Sequence, residues 1–238
     1  MNITKTKKPI ILAVLFLLPV TFLLFLYPST HNYNALDIVK GDIKELTNFQ
    51  FNTKEDQRLQ DRITVLGFLG TAPNSKALTA LNLKELIYDK FKGFKKFQVM
   101  IVVDEDAQES TSRLEEELNQ HLPLKYWSFA YGSKAEIQAL YNSLRTEQDL
   151  DSNKATDQVF IIDKERNQRG RLDDREEYQI EKKAPVYGLY SYDCIKVAEL
   201  KNKMSEDMRI LFTEYRQRRK GNFNSTSRRA DDIKVNHD

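Results

Sequence analysis

The chain has 238 residues and a formal net charge of +2, from 37 basic and 35 acidic side chains. That length accommodates a terminal anchor, one folded domain and a tail, but is tight for two separately cored domains. The near-balanced charge excludes a bulk electrostatic drive toward nucleic acid, and a single cysteine, Cys194, excludes an internal disulfide or a cysteine-based zinc cluster.

Residues 9–26, PIILAVLFLLPVTFLLFL, carry no charge and follow Lys5, Lys7 and Lys8. At ~1.5 Å per helical residue such a run reaches ~28 Å, close to the hydrocarbon thickness of a bilayer. The stretch after it, LYPSTHNYNALD, offers no small-residue cleavage pattern, so the expectation is an uncleaved signal anchor over 9–27. The basic flank 1–8 is expected in the cytoplasm and the remaining chain outside it, which is the periplasmic side if the cell is bacterial. Residues 28–60 are polar and mixed, and read as a tether with a possible edge hairpin around TNFQF.

From here the pattern alternates. ITVLGFL (63–69) reads as a buried strand, and Pro73, Asn74 and Ser75 as a helix start before Leu78, Leu81, Ile87 and Phe91 at helical spacing. FQVMIVV (97–103) is a second continuous apolar run, ended by Asp104, Glu105 and Asp106, as in a central strand covered on both faces. Residues 110–122 place Leu114, Leu118 and Leu122 on one helical stripe, and YWSFA (126–130) alternates as a strand. Ser133 and Glu136 form a capping box for a helix that buries Ile137, Leu140 and Leu144. QVFIID and RGRL flank the turn KERNQ as an antiparallel hairpin. A long helix over 193–219 carries Val197, Leu200, Met204, Leu211 and Tyr215, and residues 220–238 read as a disordered polar tail. The expected fold class is α/β, a central mixed sheet with helices on both faces, in one domain over 61–219 behind a transmembrane helix.

The segments ITVLGFLGTAPNSKALTALNLKELIYDKF, WSFAYGSKAEIQALY and VFIIDKERNQRG together resemble the Sco/SenC branch of the thioredoxin-like superfamily, membrane-anchored proteins of copper delivery and thiol redox in cytochrome oxidase assembly. The resemblance covers about residues 36–217. It implies a thioredoxin-like fold and a reactive turn at Thr71, Ala72, Pro73 and Lys76. Pro73 matches the motif proline, which places Ala72 at the first cysteine and Lys76 at the second, so both thiols are missing. The family's histidine ligand, just before the strand that QVFIID matches, has no counterpart in NKATDQ. Asp104 and Asp106 match the acidic end of the second strand, and Arg169 with Gly170 match the following hairpin.

Ala72 and Lys76 cannot exchange disulfides, and a soft copper site needs converging thiolate, thioether or imidazole groups. His31, His121 and His237 fall in the tether, near a helix end and in the tail, where convergence is not expected. Cys194 is read either as a thiol activated by a helix N-terminus or as a small buried residue. Lys76 is either a functional amine or a solvated one, and Asp104 with Asp106 either hold a hard cation or are simply solvated. Trp127, Phe129 and Tyr131 read as core. The basic segment YRQRRK, with Arg228 and Arg229, reads as a solvated tail able to meet anionic lipid. The expectation is a non-enzymatic binding or assembly factor without a cofactor, its partners the bilayer and an unidentified envelope protein, with no nucleic acid. The alternative is a thiol oxidoreductase or copper chaperone acting through Cys194.

Overall fold

The computed structural model describes residues 12–22, 35–53, 57–120 and 123–219, in two units, Met1–Asn34 and Ala35–Asp238. In the first unit residues 12–22 form a helix, α1, whose side chains are all exposed. Among the described residues no helix is long and apolar enough to cross a membrane. The ends of the 9–27 segment, the 1–8 flank and the 220–238 tail lie outside the described residues.

The second unit is built on two fully buried strands, β3 (Ile63–Gly70) and β4 (Phe97–Asp104). They are parallel, with Val65 opposite Val99. A helical crossover makes that possible: a 3-10 turn (Pro73–Lys76), α2 (Ala77–Leu83), a π-helical turn (Lys84–Tyr88) and α3 (Asp89–Phe91). β5 (Trp127–Gly132) runs parallel to β4 on its other side. β6 (Gln158–Ile162) is antiparallel to β3, and β7 (Gln168–Gly170) is antiparallel to β6. The central order β7-β6-β3-β4, with β3 and β4 parallel and the hairpin antiparallel, is the expected thioredoxin-like arrangement.

The two edges correct the expected tether. β1 (Asp37–Lys40) pairs with β7 at one edge, and β2 (Gln50–Phe51) pairs with β5 at the other. Ile43, Leu46 and Leu59 between and after them are buried, so the described residues 35–53 and 57–60 belong to the domain, and β1 and β2 do not pair as a local hairpin. Each short strand satisfies an otherwise open sheet edge with a partner distant in sequence, which local patterning does not reveal.

Alternation along the strands feeds two cores. Val65, Val99, Ile101 and Phe129 meet α2, α3, α4 (Gln108–Leu118) and the C-terminal helix α7 (Ser205–Arg219) on one face. Leu66, Phe68, Met100 and Phe160 meet Ile137, Leu140 and Tyr141 of α5 (Lys134–Tyr141) on the other. Ser133 and Glu136 form the capping box of α5. Trp127, Phe129 and Tyr131 are core.

Three local expectations change. Asn74 and Ser75 do not cap a helix; Ser75 Oγ instead donates to the Ala72 carbonyl at 2.7 Å, closing the 3-10 turn. Leu78 is 56% exposed, because the buried stripe runs through Ala80, Leu83, Ile87 and Phe91. The last helix is preceded by β8 (Tyr192–Asp193), which pairs with β6, so helix starts at residue 197 rather than 193, passes through a π-helical stretch (Glu199–Met204) into α7, and leaves Val197 40% exposed. A short helix, α6 (Glu177–Glu181), lies in the segment between β7 and β8.

β7 is polar yet buried, and its side chains account for this. Arg169 donates to Asp163 at 3.0 Å, to Glu214 at 2.6 Å and to the Leu36 carbonyl at 2.8 Å. All three charged residues are buried. Two residues on, Arg171 grips Asp207 through Nε at 3.1 Å and Nη2 at 2.7 Å, while the Tyr192 hydroxyl donates to the same carboxylate at 2.6 Å. Removing one member of such a buried set strands the others without water. Arg169→Ala is therefore expected to lower unfolding free energy by about 3–5 kcal/mol. Arg58→Ala, which removes an exposed pair with Asp61, is expected to change it by less than about 1 kcal/mol. Urea denaturation followed by circular dichroism compares the two.

Candidate functional site

The turn 71–76 leaves the carboxyl end of β3. Because β6 runs antiparallel to β3, the loop that enters β6 is brought against that turn. Gly70 lets the two backbones meet: its φ is +57°, and a Cβ there would lie 1.9 Å from the Asn153 carbonyl oxygen. Thr71 N–H donates to that carbonyl at 2.8 Å, and Thr156 N–H to the Phe68 carbonyl at 3.0 Å. The turn is thereby fixed to residues 153–156 from both sides.

Pro73 is buried, while Thr71, Ala72 and Lys76 are partly exposed. Lys76, at the position matched to the second cysteine, points its ammonium at Asp157, with Nζ 2.8 Å from Oδ2. The other Asp157 oxygen accepts from the Thr79 hydroxyl. Burial pushes the Asp157 carboxyl upward, but the bonds from Lys76 and Thr79 outweigh it, and the net shift is downward from the ordinary carboxylate value. Lys76 is thus neither a free amine nor a purely solvated one. It joins the turn to the loop electrostatically.

Cys194 lies directly behind this pair. Its N–H donates to the Asp157 carbonyl at 2.9 Å, and its own carbonyl accepts from Asn82 Nδ2 at 2.9 Å. The side chain is fully buried in the α2/α7 core. It does not sit on a helix N-terminus, since β8 and an irregular turn precede the helix. Burial, with the charges of Asp193, Asp157 and Glu199, pushes the thiol pKa well above its ordinary value. Around the turn, Leu78, one helical turn before Asn82, and Ile195, next to Cys194, are 56% and 45% exposed.

Asp104 and Asp106 lie at the same end of the sheet. Asp104 is buried and accepts from the Asp106 N–H at 3.1 Å, capping the 3-10 turn Glu105–Ala107. Its carboxylate therefore has a structural bond, and among the described residues no three His, Cys, Asp or Glu side chains converge as a metal site. His31, His121 and His237 lie outside the described residues. Arg169 and Gly170 fall within β7, where Arg169 is the buried ion-pair centre. Sequence reasoning passed over Asp157; the available signal was an acid placed just before the apolar run of β6.

No protein-family model matches the chain, and no curated protein matches it. Solved structures do. BsSco, described as a member of the Sco family of cytochrome c oxidase assembly proteins, shares 11% identity over 74% of this chain and 96% of its own, with a TM-score of 0.47. A candidate protein disulfide isomerase from Bacteroides thetaiotaomicron shares 10% over 78% and 97%, with a TM-score of 0.47. Apo Sco1 from Thermus thermophilus shares 14% over 77% and 99%, with a TM-score of 0.43.

Two outcomes follow from this geometry. Asp157→Asn is expected to lower unfolding free energy by about 1 kcal/mol at neutral pH. Because the folded carboxyl titrates below its unfolded value, the Asp157 contribution is complete above that value, ~4, and is lost as pH falls through the folded one. Urea midpoints of wild type and Asp157→Asn should therefore differ at pH 5 to 8 and converge as acidification carries the pH below the folded carboxyl's value. For Cys194, a disulfide reagent such as DTNB is expected to react at the rate of global or local unfolding, with full reactivity in denaturant.

Proposed function

We propose that this chain is a membrane-tethered, extracytoplasmic binding or assembly factor that docks a protein partner at the 71–78 turn without thiol or copper chemistry there. The observation that carries this reading is the Lys76–Asp157 ion pair, which occupies the place where the resemblance puts the second thiol. Ala72 supplies no nucleophile, and an ammonium held against a carboxylate is poorly suited to attack an electrophile. Beside that pair the exposed Leu78 and Ile195 offer apolar area to a partner. The uncharged stretch 9–26 behind a lysine-rich start supports the tether and the orientation. Burial of Cys194 argues against its use as an attacking thiolate.

Anaerobic Cu(I) titration of the full chain in detergent is expected to give no tight stoichiometric site, and insulin reduction no rate above buffer. A photo-crosslinking residue at Leu78, in membranes, is expected to give discrete adducts that a probe at Arg58, exposed at the other end of β3, does not. A stoichiometric Cu(I) complex, or turnover that disappears in Cys194→Ala, would overturn the proposal.

A further inference from the structure

Residues 172–187 leave the sheet after β7 and return toward β8 without entering the core. The Asp174 N–H donates to the Tyr187 carbonyl at 2.8 Å, so residues 174–187 form a loop whose ends adjoin. The loop is also closed from within. Arg175 Nη1 donates to the Ala184 carbonyl at 2.8 Å, the Ala184 N–H to the Gln179 carbonyl at 2.9 Å, and the Tyr187 hydroxyl to Gln179 Oε1 at 2.9 Å. Its base is fastened by Asp174, which pairs with Arg171 at 3.1 Å and with Lys203. Asp174 is the one buried residue of 172–187.

The same segment carries an excess of apolar surface. Among the described residues of the second unit nine large apolar side chains are exposed, and five of them are Leu172, Tyr178, Ile180, Val186 and Tyr187. Each is at least 40% exposed, so much of its transfer free energy is not used by the fold. An ordered loop that holds such side chains in water and adds nothing to the core is suited to a partner that covers them.

The charges decide which partner. At about 100° per residue, the order around α6 is Ile180, Glu177, Glu181, Tyr178 and then Lys182. Lys182 lies over the Tyr178 ring, 5.8 Å from its centroid, and Lys183 follows the helix at φ +51°. Glu176 caps α6, while Arg171, Arg175 and Lys203 near the base are already paired, with Asp207, Asp173 and Asp174 respectively. Glu177 and Glu181 are exposed and have no ion-pair partner among the described residues. Ile180 and Tyr178 flank them. A bilayer could take up these two apolar side chains only by desolvating both carboxylates. A two-fold laying this face on a second copy opposes Glu177 with Glu181, like charge against like. A protein surface with lysine or arginine beside an apolar recess meets neither cost.

We infer that the loop 174–187 is a docking surface for a protein partner of that chemistry, with Tyr178 and Ile180 as apolar anchors and Glu177 and Glu181 as the charges that select it. β7 runs parallel to β3, because each is antiparallel to β6, so the loop leaves the sheet at the end that carries the 71–76 turn. The assignment depends neither on the tether nor on the reading of that turn.

The test places a photo-crosslinking residue at Tyr178 of the full chain, in membranes of the cells that make it. Expected is a discrete adduct whose attachment point, mapped by mass spectrometry, lies beside lysine or arginine and apolar residues of another protein. Glu177→Lys/Glu181→Lys should lower its yield at least about tenfold, and Lys182→Glu/Lys183→Glu should not. Both variants, and Ile180→Ser, should stay close to the wild-type urea midpoint, since these side chains are exposed. A midpoint lowered as far as in Arg169→Ala would give them a role in folding and overturn the inference. So would an adduct to lipid or to a second copy, a yield indifferent to the charge reversal, or no adduct. Adducts from the Leu78 probe with none from Tyr178 would leave the turn reading standing and remove this one.

Discussion

The domain is held in register by the guanidinium of Arg169. Its terminal nitrogens reach Asp163 in the turn that leaves β6, Glu214 on α7, and the Leu36 carbonyl just before β1. Hydrophobic contact could bring those three elements together in several sliding registers, since it is non-directional. A buried charge with fixed donors cannot slide, because any shift leaves a carboxylate without its partner in a medium that cannot solvate it. Arg171 repeats the arrangement on the same side of β7, with Asp207 and the Tyr192 hydroxyl. Gln168, of opposite parity, donates to the Arg145 and Tyr190 carbonyls. The short strand QRG thus directs the hairpin, the first strand and the last helix to one geometry.

Little of this organisation passes through the turn at 71–76. Of that turn only Pro73 is buried, and the backbone bonds fixing it come from Thr71 and from Thr156 to Phe68, not from the side chains of Ala72 or Lys76. The identities of Ala72 and Lys76 therefore have little bearing on the stability of the frame around the turn. Lys76 does make one charged contact. Lys76 and Asp157 join the two backbones that Gly70 allows to meet, so the turn is tied to its neighbouring loop by an ion pair with a downward-shifted carboxyl.

The parts legible in the sequence were those written in local periodicity. β3, β4 and β6 declare themselves as uninterrupted apolar runs because both faces are covered, and Ser133 with Glu136 marks the start of α5 because a capping box is local. β1 and β2 were not legible, since four- and two-residue strands gain their identity only from distant edges. The expected helix start at 193 is too early because β8, Tyr192–Asp193, pairs with β6, a partner distant in sequence, and helix begins only at residue 197. Arg169 looked like an ordinary hairpin residue; nothing within several positions of it reveals Glu214.

The same distinction explains why the whole-chain charge was a poor guide to the surface. A net charge of +2 says only that positive and negative side chains are nearly equal in number. Parallel strands bring all their entering loops to one end and all their leaving loops to the other, so the lysines before β4 and the acids after it are kept apart once the sheet forms. Lys95 and Lys96 before β4, against Glu105 and Asp106 after it, show the rule within one strand. An antiparallel pair would have mixed those loops and cancelled the field. The separation of these charges is thus a property of topology acting on local composition, and the 71–76 turn shares its end of the sheet with Glu105 and Asp106 as well as with Lys76 and Lys134.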